Sequence, residues 1–200
     1  MDLSGGNYKE ITCHNTDFSG SDLSNSNFEG ASLLESVFIK SIIKGVNFKE
    51  AWLSEADFSD TIIENSDFRT STINRAVLLR TEFINCNLNK AEINHSDLSY
   101  CTFKDCVLTK TDFSYSNLEN ADLSGNNLKE AVFIKVKLTG ANLSDADLTG
   151  AEFVGIDFTT FKFDNAKFAN NFIKGIKVNA KDLHRLNLSE EQLKEVTIVG

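Results

Sequence analysis

The chain has 200 residues, of which 41% are hydrophobic and 24% charged, and carries a formal net charge of −9. That is room for one domain or one repeat array; no stretch approaches the roughly 18 apolar residues of a membrane span, and the acidic balance argues against direct contact with nucleic acid or an anionic membrane. Four Cys and three His at irregular spacings, without CxxC or HExxH, outline no metal framework, so neither metal nor cofactor is expected.

The opening residues lack the basic start and apolar run of a secretory signal, which predicts a cytoplasmic location. From Leu3 onward a large apolar residue returns every five positions through Ile198, forty times in forty. At the chain's own apolar frequency that outcome has odds of about one in 10¹⁵, so the periodicity is not a product of composition. Fourteen of the sixteen Phe fall on it. Two residues before each, between Thr16 and Ala166, 26 of 31 positions are Ala, Ser, Thr or Cys. The unit therefore reads small, polar, large apolar, polar, polar.

A period of five suits neither the 3.6 of a helix nor the 2 of a strand. It suits a solenoid whose chain turns a corner at every unit, with the small and large residues inward. Identity among inward residues Phe18 to Phe168 is high at a separation of 20 (17 of 27 pairs) and low at 15 (5 of 28). A separation of 10 scores as well, but a two-sided coil would have no room for opposed rings. Four faces and 20 residues per coil follow, with Phe18, Phe38 and Phe58 in one column, Phe28, Phe48 and Phe68 in another, and Phe113, Phe133 and Phe153 in a third. Gly5, Gly6 and Tyr8 predict an imperfect first coil.

Units such as NADLS at 120–124, GANLS at 140–144 and DADLT at 145–149 resemble the A(D/N)LXX repeat of the pentapeptide-repeat proteins, over about residues 11 to 170. The resemblance implies an all-β fold, a right-handed quadrilateral β-helix of about eight coils and a rod roughly 38 Å long. We assign 1–170 to the β-helix and 171–200 to a C-terminal cap. Within the cap the small position fails, and capping signals at Asn179 and at Ser189 with Gln192 predict short helices near 180–186 and 190–196. Phe161, Phe163, Phe168 and Phe172 are expected as a plug beneath them. In gyrase-protecting members of the family a C-terminal segment makes the dimer, so the resemblance implies Phe172, Leu183, Leu188 and Leu193 as cap or homodimer contacts.

Asp and Asn recur just before the large residue, where their side chains suit turn backbone groups rather than catalysis. Cys86, Cys101 and Cys106 fill the small inward slot, Cys86 and Cys106 one coil apart as a free thiol pair. His14 and His95 face outward. The one mixed cluster, Asp182, His184 and Glu190, has no recommending spacing, and an enzyme is not expected. Function should then lie on the outer surface. One face, built on Leu23 to Phe163, carries the candidate acidic surface: Asp22, Glu64, Glu82, Asp105, Asp122 and Asp145. Outward aliphatics form a candidate partner patch: Ile42, Ile62 and Ile84 on that face, Val37, Ile39, Val77 and Leu79 on the adjoining one, and Trp52 elsewhere. Two readings result: a non-catalytic interaction or structural module binding a protein partner, and a DNA mimic that binds DNA gyrase or topoisomerase IV and protects against quinolones or a gyrase toxin.

Overall fold

Each five-residue unit closes on a tight corner. Ser41 N–H donates to the Phe38 carbonyl at 3.0 Å and Ala51 N–H to that of Phe48 at 3.0 Å. Between them Lys40 and Glu50 sit in the left-handed region at φ 56° and 60°, the arrangement of a type II turn. Four such units return the chain to its starting face. The computed structural model describes residues 1–200, and its parallel bridges pair residues twenty apart on every face: Val37 with Asp57, Asp22 with Ile42, Asn27 with Asn47 and Ser32 with Trp52. We name the faces after their inward columns: Phe38, Leu23, Phe28 and Leu33.

Extended strands develop on three faces. On the Leu23 face β1 (Ile43–Lys44), β2 (Ile62–Glu64), β3 (Glu82–Ile84) and β4 (Thr102–Lys104) form a four-stranded parallel ladder. On the Leu33 face β5 (Val132–Ile134), β6 (Glu152–Val154) and β7 (Phe172–Lys174) form a three-stranded one. The coil passes residue 170 through β7 to the Phe38 face, where β8 (Ile176–Asn179) pairs in parallel with the last strand, β9 (Val196–Val199), in a separate two-stranded sheet.

The inward residues make one cluster of 52 buried side chains. Like stacks on like along the rod: Phe38 and Phe58 lie 4.5 Å apart and 3° from parallel, Phe133 and Phe153 5.0 Å and 3°. Across the core the rings meet edge to face, as Phe48 and Phe58 do at 6.4 Å, the geometry that ring quadrupoles favour. The small slot does more than leave room. Thr81, Thr111 and Ser116 each donate to a carbonyl of the preceding coil, on Phe58, Leu88 and Ile93, at 2.9, 2.9 and 2.6 Å. Buried hydroxyls are thereby satisfied and adjacent coils tied.

Four sequence expectations are corrected. The first coil is regular: Asp2 bridges Asp22, and Tyr8 stacks on Phe28 at 4.9 Å, which extends an aromatic column rather than interrupting it. The first cap helix is a 3₁₀ turn, Ala180–Arg185, whose Asn179 makes no side-chain cap. The second is the four-residue α1, Glu190–Leu193, with the expected Ser189–Gln192 capping box; the residues that follow are drawn into β9 by pairing with β8. Phe161, Phe163 and Phe168 are buried as a plug, but Phe172 is 55% exposed, because it precedes the large residue Ile173 and so points outward on β7.

Candidate functional site

The first half of the Leu23 face carries the longest ladder, and it shares its corner chemistry with part of the Leu33 face, where Ala76 N–H donates to Ser96 Oγ and Ser96 N–H to Ser116 Oγ, both at 3.0 Å. Behind Ile43 and Phe103 the corner hydrogen bond is replaced by one to the next coil: Val46 N–H donates to Ser66 Oγ at 3.1 Å and Cys106 N–H to Asn126 Oδ1 at 2.8 Å. With outward β-branched Ile42, Ile62 and Thr102, which suit a pleated surface, the chain stays extended through β1 to β4. Two adjoining concavities result.

The first, about 410 Å³, is lined by Lys40, Ile42, Lys44, Asp60, Ile62 and Glu64 among others. Ile42 and Ile62, one coil apart, are each 53% exposed. Its carboxylates are neutralised: Glu64 pairs with Lys44 at 3.1 Å and Asp60 with Arg80 at 2.5 Å, the latter hydrogen bond holding Asp60 below the usual carboxylate range. The second, about 300 Å³, is lined by Glu82, Ile84, Thr102, Lys104, Asp105 and Asp122. None of its three carboxylates, nor Lys104, lies within 4.0 Å of an opposite charge.

All six residues of the candidate acidic surface lie on this face, with different duties. Asp22 and Asp122 accept the backbone N–H of Ser24 and Ser124 at 2.9 and 3.0 Å, and Asp122 also accepts Asn142 Nδ2 at 3.2 Å. Asp145 accepts Asn165 Nδ2 at 3.1 Å. Such Asx bonds recur at Asp17, Asp57, Asp97, Asp112 and Asp147, as the turn reading of these residues expects. The candidate partner patch is divided. Ile42, Ile62 and Ile84 share the Leu23 face. Val37 and Val77, with Ile39 and Leu79, occupy the Phe38 face, where Asp57 separates the two valines. Trp52, 60% exposed, is on the Leu33 face and joins neither group.

Elsewhere the candidates do not converge. Leu183 and Leu188 pack partly buried against the core, while Leu193 is 39% exposed. Asp182 is bound to Arg185 at 3.1 Å, which removes it from any cluster with His184 and Glu190. Burial pushes the Cys101 thiol up to about 12, and a hydrogen bond with Cys106 together with burial pushes Cys86 up, so these are inert fillers; all four cysteines are free thiols. Sequence reasoning missed Lys40 and Asp60 at the groove rim. It also missed the exposed stack of His95 on Tyr115, 4.9 Å apart, with Lys135 6.0 Å from the Tyr115 ring. Their twenty-residue spacing was the available signal.

Comparison with known proteins agrees with this architecture. A family profile described as pentapeptide repeat region matches residues 11–82 and 76–133, and one described as pentapeptide repeats (8 copies) matches 127–165. Two structures of trypsin-treated QnrB1, a plasmid-mediated fluoroquinolone resistance protein, are similar over 99% of this chain. One covers 93% of the QnrB1 chain with a TM-score of 0.77 at 20% identity, the other 92% with 0.68 at 23%. A pentapeptide repeat protein from the Arabidopsis thaliana thylakoid lumen matches 56% of this chain and 65% of its own at 28% identity, with a TM-score of 0.38. No curated protein matches the sequence.

Proposed function

The chain belongs to the pentapeptide-repeat family, and from that premise we propose that it is a non-catalytic interaction module whose docking surface is the Leu23 face between residues 40 and 125. The observation that carries this reading is the pair Ile42 and Ile62, half exposed side by side over a concavity. Covering the exposed half of each would contribute about 1 kcal/mol, and the other outward positions on the same ladder, Ile84 apart, are charged or polar. The test is capture of partners from native lysate by the immobilised chain, with Ile62→Asp beside wild type. A partner retained by wild type and by Trp52→Ala, but lost with Ile62→Asp, supports the reading; capture indifferent to Ile62→Asp overturns it.

A second reading, binding of a type II topoisomerase by DNA mimicry, is favoured by one observation. The carboxylates Glu82, Asp105, Asp122 and Asp145, none of them ion-paired, follow one another along this face on successive coils. The fold likeness to QnrB1 is consistent with it. Against it stand lysines and arginines that neutralise carboxylates one coil away, as in Lys9–Glu29, Lys44–Glu64, Arg80–Asp60 and Lys110–Glu130. A gyrase assay decides: a molar excess that neither inhibits supercoiling nor relieves fluoroquinolone poisoning excludes this reading.

A further inference from the structure

The two concavities of the Leu23 face differ in what they ask of an occupant. In the first, the floor is aliphatic and its carboxylates are already satisfied by Lys44 and Arg80. A partner cation there would have to displace an existing ion pair, whereas an aliphatic side chain would cover Ile42 and Ile62 with no electrostatic loss. In the second, Glu82, Asp105 and Asp122 face one cation, Lys104, and none of the four is paired. Three negative charges against one leave a formal deficit of two, so this groove accepts positive charge without breaking anything. The adjoining Phe28 face offers no such site, since Glu10, Glu29, Glu50, Asp67, Glu130 and Asp147 are all in ion pairs.

We propose that the occupant is a segment of a partner protein lying along the rod axis, with an aliphatic anchor over Ile42 and Ile62 followed by two Lys or Arg side chains over Glu82, Asp105 and Asp122. Resting on the docking reading above, this adds the order and spacing of the partner's chemistry. The carboxylates begin one coil past Ile62 and extend three coils past it, which at the parallel-strand spacing is about 5 to 14 Å. A cation pair centred about 10 Å from the anchor corresponds to about three residues of extended chain or about seven of helix. A uniformly basic surface would leave the isoleucines uncovered, and a uniformly apolar one would bury unpaired carboxylates at a cost.

The probes are three synthetic peptides of about 12 residues, sized to span both grooves when extended: one with two Leu followed by two Arg, one with the Leu replaced by Ser, and one with the Arg replaced by Gln. Each is titrated into the isotopically labelled full chain and followed by amide chemical shifts. The complete peptide should shift amides of β1 to β4 and bind at least about tenfold more tightly than either partial peptide. Glu82→Lys with Asp105→Lys turns the groove's formal −2 into +2 and should reduce its affinity at least about tenfold and reverse the sign of the salt dependence, whereas Ile62→Asp should reduce affinity and leave the sign of the salt dependence in place. Neither carboxylate supports the turn backbone, and unchanged melting confirms that both variants fold. Equal binding of the Arg-only peptide, shifts confined to other faces, no binding of the complete peptide, or indifference to the double charge reversal each overturns the proposal. In the lysate experiment, partner capture lost with Ile62→Asp but kept with Glu82→Lys and Asp105→Lys would leave the docking reading standing and this inference fallen. Capture indifferent to Ile62→Asp would fell both.

Discussion

The regular coils and the C-terminal cap keep the same five-residue period of large apolar residues, yet from Leu183 onward none of them is fully buried. Leu88, Leu108 and Leu128 are wholly buried, whereas Leu183 and Leu188 are partly so and Leu193 is 39% exposed. What changes between the regions is the small slot. In the coils Thr81, Ser96, Thr111 and Ser116 occupy it and reach back to the preceding coil; in the cap it holds Lys181, Leu186 and Glu191. Bulky apolar residues are accommodated there, as Ile156 and Phe161 are buried in the same slot, but charged Lys181 and Glu191 stay exposed, and around them the chain closes its turns as short helices and returns to the ladder only at β9. The large residue supplies core, and a charge in the slot coincides with the loss of regular coil stacking.

The strongest way to break this comparison is a deletion from the core of each region. Phe58 stacks on Phe38 at 4.5 Å and meets Phe48 and Phe68 edge to face. Phe58→Ala should cost about 3–5 kcal/mol, and Leu193→Ala less than about 1 kcal/mol, in urea unfolding. Equal losses would mean that the cap is as well packed as the coils.

Most of the coil architecture was legible because solenoid contacts recur at a fixed separation, which turns spatial neighbours into a count along the sequence. Phe38 on Phe58 and Phe133 on Phe153 could be paired before any coordinates. Phe172 was legible too and misread: it stands one place before Ile173, the outward position of every unit. The concavity of the Leu23 face was not legible. It depends on the short strands of neighbouring coils lying in parallel register on this face, a contact between coils that local propensity does not show. Nor could the sequence separate paired from unpaired carboxylates, since Glu64 and Glu82 look alike until Lys44 is found beside one of them. β9 escaped because its pairing with β8 is a tertiary contact, whereas the capping box ahead of it is a local one.

A narrower comparison sets two asparagines in the small slot. Asn126 uses both ends of its amide, donating to the Phe103 carbonyl at 2.7 Å and accepting Cys106 N–H at 2.8 Å. Asn171 donates to the Leu148 carbonyl at 2.6 Å, but its Oδ1 is buried without a partner, because Ala151 N–H already serves the Leu148 corner. Asn126→Ala should cost about 1–3 kcal/mol by stranding a buried donor and acceptor. Asn171→Ala should cost about half of that or less, since it also removes an unsatisfied acceptor. Calorimetric melting of the two variants measures the difference.

The corners offer a change of opposite sign. Thr70 is a β-branched residue held at φ 56°, where a side chain without β-branching, or none at all, is better tolerated. Thr70→Gly should stabilise by about 1 kcal/mol. The reverse substitution at Gly125, whose Cβ would meet nothing within 4 Å at φ 69°, should destabilise by a similar amount through backbone strain alone. Finding no effect at either corner would mean that this left-handed conformation carries little strain here.

The smallest expected effect concerns the tie between the last coils and the cap. Lys177 of β8 sits 3.1 Å from Asp157, one coil before it. Burial raises the Asp157 pKa, but this is outweighed by hydrogen bonds from the Thr159 side chain and backbone and by Lys177, so the folded value lies below the ordinary one. The stabilisation is therefore present above the unfolded carboxylate pKa of about 3.9 and is lost as pH falls through the folded value. With 38% of the Asp157 side chain exposed, solvent screening keeps it well under about 1 kcal/mol. Protection of the Lys177 and Val178 amides should decline on acidification below about pH 4 while that of Phe133 holds, and Asp157→Asn should remove the extra decline. If all three amides lose protection together, the cap and the coils open as one cooperative unit, and their different burial does not make them independent in stability.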